Sequence, residues 1–243
     1  MFSLYKKELQ SYFYSPFAYV VGALFLFIFA FPFITGISNI DSSQYKFSFP
    51  NIFYNNFFYF ILLIPILTMR TFAEERKSGT EVLLMSSPLS VFQIVIAKFL
   101  AVATLFLTML LATLFYPVIT MLTGKVVWSS LVCGYVGFYM WGLACIAVGM
   151  LMSSFTESPI IAAVLGELAM LLLIFVDNLA SSAFIQSIPH VSGVLNWLST
   201  QQRFTVFSQG IFRLGDIIFF ITLSVVFLGW TIISINKRRW SRG

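Results

Sequence analysis

Three acids and three bases crowd into the segment Arg70-Thr71-Phe72-Ala73-Glu74-Glu75-Arg76-Lys77-Ser78-Gly79-Thr80-Glu81-Val82-Leu83-Leu84, within a chain that is otherwise sparsely charged. Carboxylates and cations at this density make ion pairs and charge-assisted hydrogen bonds. That chemistry suits contact with a soluble surface; it is not a catalytic set. The chain has no HExxH spacing and no pair of acids inside an apolar run, and its one histidine, His190, has no partner at metal-ligand spacing. Cys133 and Cys145 share one apolar stretch and read as small buried hydrophobes rather than a disulfide or metal pair. No GxxxxGK[ST] phosphate loop occurs, and Lys77-Ser78 has no glycines before it. The expectation is a chain without enzymatic activity, metal or cofactor of its own, with any nucleotide bound by another polypeptide.

The elements that hold this island must come from the rest of the chain, which is 59% hydrophobic and 9% charged. A soluble domain carries about 25% charged residues, so the composition is that of an integral membrane protein. A single 243-residue unit with spans of about 20 residues accommodates six helices. They are expected near 17–37, 52–69, 96–122, 129–153, 160–176 and 217–235. With both termini inside, the inner segments hold Lys6, Lys7, Arg70, Arg76, Lys77, Lys98, Lys237, Arg238, Arg239 and Arg242. The outer ones hold Lys46, Lys125, Arg203 and Arg213. That asymmetry follows the positive-inside rule, and it places the loop 70–90 inside. The net charge of +5 is therefore an orientation signal and not a nucleic-acid footprint.

Within the loop, Ser78-Gly79-Thr80-Glu81 has the spacing of a capping box. It is expected to start a short helix through Val82, Leu83 and Leu84 that stops before Pro88. A second turn inside the membrane edge, Ser153-Ser154-Phe155-Thr156-Glu157-Ser158-Pro159, joins the fourth and fifth spans. Residues 1–15 place Tyr5, Leu9, Tyr12 and Phe13 on one helical face, as an interfacial helix does, with Pro16 marking entry into the first span. A frayed basic terminus is the alternative. Glu167 is the one acid well inside a span: it lines a pathway, pairs across helices, is protonated, or makes a structural hydrogen bond. Lys98, near the start of the third span, is expected to snorkel outward. The stretch 177–216 places Phe204, Phe207, Ile211 and Phe212 on one face and reads as short external helices before the sixth span. The outer loop 38–51, with Asp41, Lys46 and Pro50, is long enough to meet an auxiliary subunit. The 29 phenylalanines read as lipid-facing bulk rather than a substrate channel.

Glu74-Glu75, Gly79-Thr80-Glu81, Leu83-Leu84 and Pro88, with Lys98 entering the next span, resemble the first cytoplasmic loop of type-2 ABC transporter permeases (the ABC-2 family). The layout of the whole chain resembles that family too. Phe204, Gly210 and Asp216 look like its gliding-motility-type subgroup. The resemblance implies a membrane subunit of an ATP-driven exporter in the bacterial cytoplasmic membrane. It further implies separate ABC ATPase subunits carrying ATP and Mg, and a second permease subunit of the same or a related chain. The loop helix would be a coupling helix. Arg70, Phe72, Glu74, Glu75 and Arg76 would stand at its edge, Gly79 and Thr80 in its bend, Glu81, Leu83 and Leu84 in its body, and Pro88 just beyond its end. Thr156 and Glu157 would make a second cytoplasmic contact. The competing class is a stand-alone ion-coupled carrier or channel, which calls for several embedded charges and an internal repeat; only Glu167 is deeply placed, and no convincing repeat is seen.

Overall fold

The computed structural model describes residues 1–38, 49–123, 127–182 and 199–241, with 193, 195 and 197 as isolated positions; at 35–38, 49–58 and a few other sites it describes the backbone alone. Asp41, Lys46, Lys125 and His190 lie outside the described residues. Every regular element among the described residues is an α-helix. They are α1 (Phe2–Tyr14), α2 (Pro16–Ser38), α3 (Phe49–Thr68), α4 (Arg70–Lys77), α5 (Glu81–Met85), α6 (Val91–Ala112), α7 (Phe115–Thr123), α8 (Trp128–Phe155), α9 (Pro159–Ser181), α10 (Thr200–Ser208) and α11 (Leu214–Ser241).

Five stretches among the described residues are long and apolar enough to cross a membrane: Pro16–Ile34, Val91–Ile119, Trp128–Phe155, Pro159–Leu179 and Leu214–Arg238. In the hydrocarbon region a helix satisfies all its backbone groups internally, so uninterrupted apolar runs become these long elements. α3 coincides with the remaining expected span, 52–69, and packs against α2, α8 and α9.

α8 is the central element, touching α3, α6, α9, α10 and α11. Its glycines permit this crowding. A Cβ on Gly142 would stand 2.2 Å from the Phe106 ring, and one on Gly149 2.1 Å from Thr68 Oγ1. Around them Phe25, Phe60, Phe106 and Phe138 form the core, with ring centroids 4.5 Å apart for Phe25–Phe60 and 4.8 Å for Phe60–Phe138. The phenylalanines thus divide: Phe27 and Phe31 face outward as expected, while these four are packing material.

α1 ends at Ser15, and Pro16 opens α2, as the sequence predicts. Its buried face is rotated from the expected one. Leu4 and Tyr12 are buried and Phe13 is exposed, because α1 packs along α6, where Tyr5 Oη and Thr104 Oγ1 are 3.0 Å apart. At the other end of the bundle, Gly210 (φ 82°) terminates α10 and is wedged against Ser130. Ile211 and Phe212 therefore leave the face that Phe204 and Phe207 share. The latter pair is buried against α8, with Phe204 6.0 Å from Phe138.

Candidate functional site

α3, α4 and α5 run almost without interruption from the bundle into the polar island. Met69 separates α3 from α4, and Gly79, with φ 73°, turns the chain between α4 and α5. That left-handed conformation suits glycine and strains other residues. The expected capping box at Ser78 does not form. Ser78 instead ends α4, its hydroxyl donating to the Glu74 carbonyl at 2.9 Å, and Thr80 precedes α5 without a side-chain cap. The capping box that forms lies twelve residues later, beyond the island. Ser90 Oγ accepts from the Gln93 amide at 3.3 Å and Gln93 Oε1 accepts from the Ser90 amide at 3.1 Å, opening α6. The Ser-x-x-Gln spacing at 90–93 was the signal for it; Ser78 lost because its hydroxyl satisfies carbonyls at the end of the preceding helix.

α4 is bound to the bundle on three sides. Ser153 Oγ accepts from the amides of Phe72 and Ala73 at 3.2 Å each and donates to the Met69 carbonyl at 3.0 Å. Arg76, 8% exposed, donates through Nη1 to the Ser154 carbonyl and, at 3.4 Å, to that of Thr156; its Nε meets Glu81 Oε1 at 3.1 Å. Arg70 forks onto Glu74 at 2.6 and 2.5 Å, reaches Ser15 Oγ at 3.3 Å, and lies 5.1 Å from the Phe17 ring centre. The hydrogen bond to Glu74 raises the Arg70 pKa further above its ordinary value.

Lys98 is the residue the sequence undervalued. Instead of snorkelling it is 2% exposed, with Nζ 2.8 Å from Glu75 Oε1, 3.2 Å from Glu8 Oε1 and 5.5 Å from the Phe72 ring centre. Apolar spacing along α1 gave no sign of Glu8's role, since a carboxylate on a buried face is seen only once its cation is known. Burial raises the Glu75 pKa, and Lys98 only partly opposes that.

Most of the charges in the island therefore turn inward. α5 turns outward: Val82 and Leu83 are 63% and 72% exposed, while Leu84 packs toward the small core of Leu4, Ile94 and Ala97. Lys77, Ser78, Gly79, Thr80 and Pro88 are also exposed, and Glu81 is half-buried. Thr156 and exposed Glu157 lie in the turn that receives Arg76, and Arg238 of α11 donates to the Phe155 carbonyl at 2.9 Å. α1, the loop 70–90, the 156–158 turn and the end of α11 thus share one end of the bundle. The other end is closed by α10: Thr200 Oγ1 donates to Asp177 Oδ2 at 2.9 Å, and Arg203 Nη1 meets Asp216 Oδ1 at 2.7 Å. Glu167 stands apart from both ends, half-buried on α9, and makes no hydrogen bond or ion pair among the described residues.

A family profile described as ABC-2 family transporter protein matches residues 35–235. The chain belongs to the ABC-2 family. It is a multi-pass membrane protein and a permease of an ABC transporter, and membership implies partnership with an ABC ATPase subunit. A comparison with curated proteins finds no match. The match begins beyond α1 and takes in the whole of α4, α5 and the 156–158 turn, so this ABC-2 permease carries its polar end mostly within the shared region.

Proposed function

We propose that this chain is the permease subunit of an ATP-driven exporter, and that α4 and α5 form its coupling element. One observation carries the reading. α5 presents Val82 and Leu83 to the exterior from the tip of a unit most of whose charges are fixed inward, to the end of α1, to α6 and to α8. A short helix with exposed apolar side chains on a rigid mount fits a groove on a soluble partner. In this reading Arg70, Phe72, Glu74, Glu75 and Arg76 transmit movement to the bundle, while Gly79, Thr80, Glu81, Leu83 and Pro88 meet the ATPase. Leu84 holds α5 to α6, and Thr156 and Glu157 form a second contact beside Arg76. ATP and Mg belong to the partner, and this chain supplies no catalysis and no cofactor.

The charge distribution supports six spans with both termini in the cytoplasm, the family resemblance points to a bacterial cytoplasmic membrane, and a second permease subunit completes the transporter. Phe204, Gly210 and Asp216 all secure α10, through core packing, a left-handed turn and the Arg203 pair. The subgroup reading rests on the resemblance of these three residues to the gliding-motility-type pattern, and it does not imply gliding as the work done.

The test is affinity purification of the tagged chain in mild detergent, with the co-purifying proteins identified. A P-loop ATPase is expected, and Leu83→Asp is expected to release it while leaving membrane insertion intact. Leu83 is a cleaner probe than Glu81, whose substitution also strips Arg76 of its carboxylate. A chain that purifies alone and moves solute in liposomes without ATP is a carrier, and sinks the proposal.

A further inference from the structure

Where α8 ends and α11 leaves the membrane, Phe155, Trp230, Ile233, Ser234, Lys237 and Arg238 line an open groove of about 620 Å³. Its polarity is graded. Lys237 and Arg238 stand at the polar end, and Trp230, seven residues before Lys237, lies about 10 Å deeper at a rise of about 1.5 Å per residue. Phe155, Trp230 and Ile233 are all strongly exposed. Arg238 is fixed at the rim by its bond to the Phe155 carbonyl, and the Ser154 and Ser234 hydroxyls, 3.3 Å apart, tie the two helices together beneath it.

Two cations above an apolar trough, at the level where a membrane-crossing helix emerges, match one kind of ligand. We propose that this groove binds an anionic phospholipid, its phosphate held by Lys237 and Arg238 and the start of an acyl chain laid against Phe155, Trp230 and Ile233. Basic residues at the edge of a span attract anionic headgroups. A partner helix would set an apolar face against both cations. A free phosphate would leave the apolar wall uncovered. The groove includes no residue of α5, so it stands independently of the coupling assignment.

The experiment is native mass spectrometry of the purified chain, titrated with phosphatidylglycerol against phosphatidylcholine. Phosphatidylglycerol is expected to be retained at least about tenfold better, each cation near the headgroup being worth roughly fivefold. Lys237→Gln is expected to weaken retention about fivefold, and the Lys237→Gln/Arg238→Gln pair roughly thirtyfold. Lys77→Gln, the same loss of charge at the exposed end of α4, should change nothing. Because Arg238 also binds the end of α8, the Lys237 variant decides. Equal retention of the two lipids overturns the proposal, as does competition by soluble glycerol phosphate as effective as the lipid. So does a Lys237 variant that alters subunit stoichiometry but not lipid retention, which makes the groove a protein contact.

Discussion

Among the described residues, Lys98 is one of two deeply buried cations at the polar end, with Arg76. It is buried, and it joins Glu8 of α1 to Glu75 of α4 from its own position on α6. Removing one member of a buried ionic group costs more than the group contributes, roughly 3 to 5 kcal/mol, because the remaining charge is stranded. Lys98→Met should therefore destabilise the chain by about that much, read from thermal unfolding in detergent. Glu75 adds a pH dependence of known sign. Its pKa is raised on folding by burial, so the folded state holds this proton more tightly than the unfolded state. Its contribution favours folding below the ordinary carboxylate range and is lost as pH rises from there through the raised value. Glu75→Gln should flatten that part of the stability profile; an unchanged slope would assign the dependence to another group.

At the scale of elements, α8 shows what was legible in the sequence and what was not. Its length and apolarity made it a secure span, and so did those of α6 and α11. Its role as the hub could not be read, because Gly137, Gly142 and Gly149 acquire meaning only from what approaches them: Phe207, Phe106 and Thr68. The same limit applies to charges. The island at 70–84 was visible as a run, yet its inward pairing to Ser153, Ser154, Lys98 and Ser15 joins residues far apart in the chain. The bend at Gly79 was implied by the family resemblance, while the Ser78 cap was misread because the carbonyls that capture it belong to α4. Overpacking a close helix contact costs about 1 to 3 kcal/mol. Gly142→Ala should lie in that range, since Phe106 is itself locked among Phe25 and Phe138 and cannot swing aside. Gly229→Ala, where a Cβ meets open space, should be neutral in the same unfolding measurement.

For the whole molecule, α9 is the face that the proposed second permease subunit would cover. It is the least buried of the candidate spans, with 17% of its apolar window covered. Ile160, Val164 and Leu171 are exposed on it at helical spacing, and Glu167 falls among them on the same outward face. An ionisable side chain facing lipid is costly, and such groups normally face protein or a water-filled path. A second copy laid along α9 would cover the carboxylate and the apolar stripe together. Single cysteines at Val164, Glu167 and Leu171, in a background with Cys133→Ser and Cys145→Ala, should therefore cross-link two copies in native membranes. A cysteine at exposed Val225 on α11 serves as the comparison and should not. Efficient cross-linking through α11 with none through α9 would put the subunit contact on the other side of the bundle and leave Glu167 to a path through a single copy.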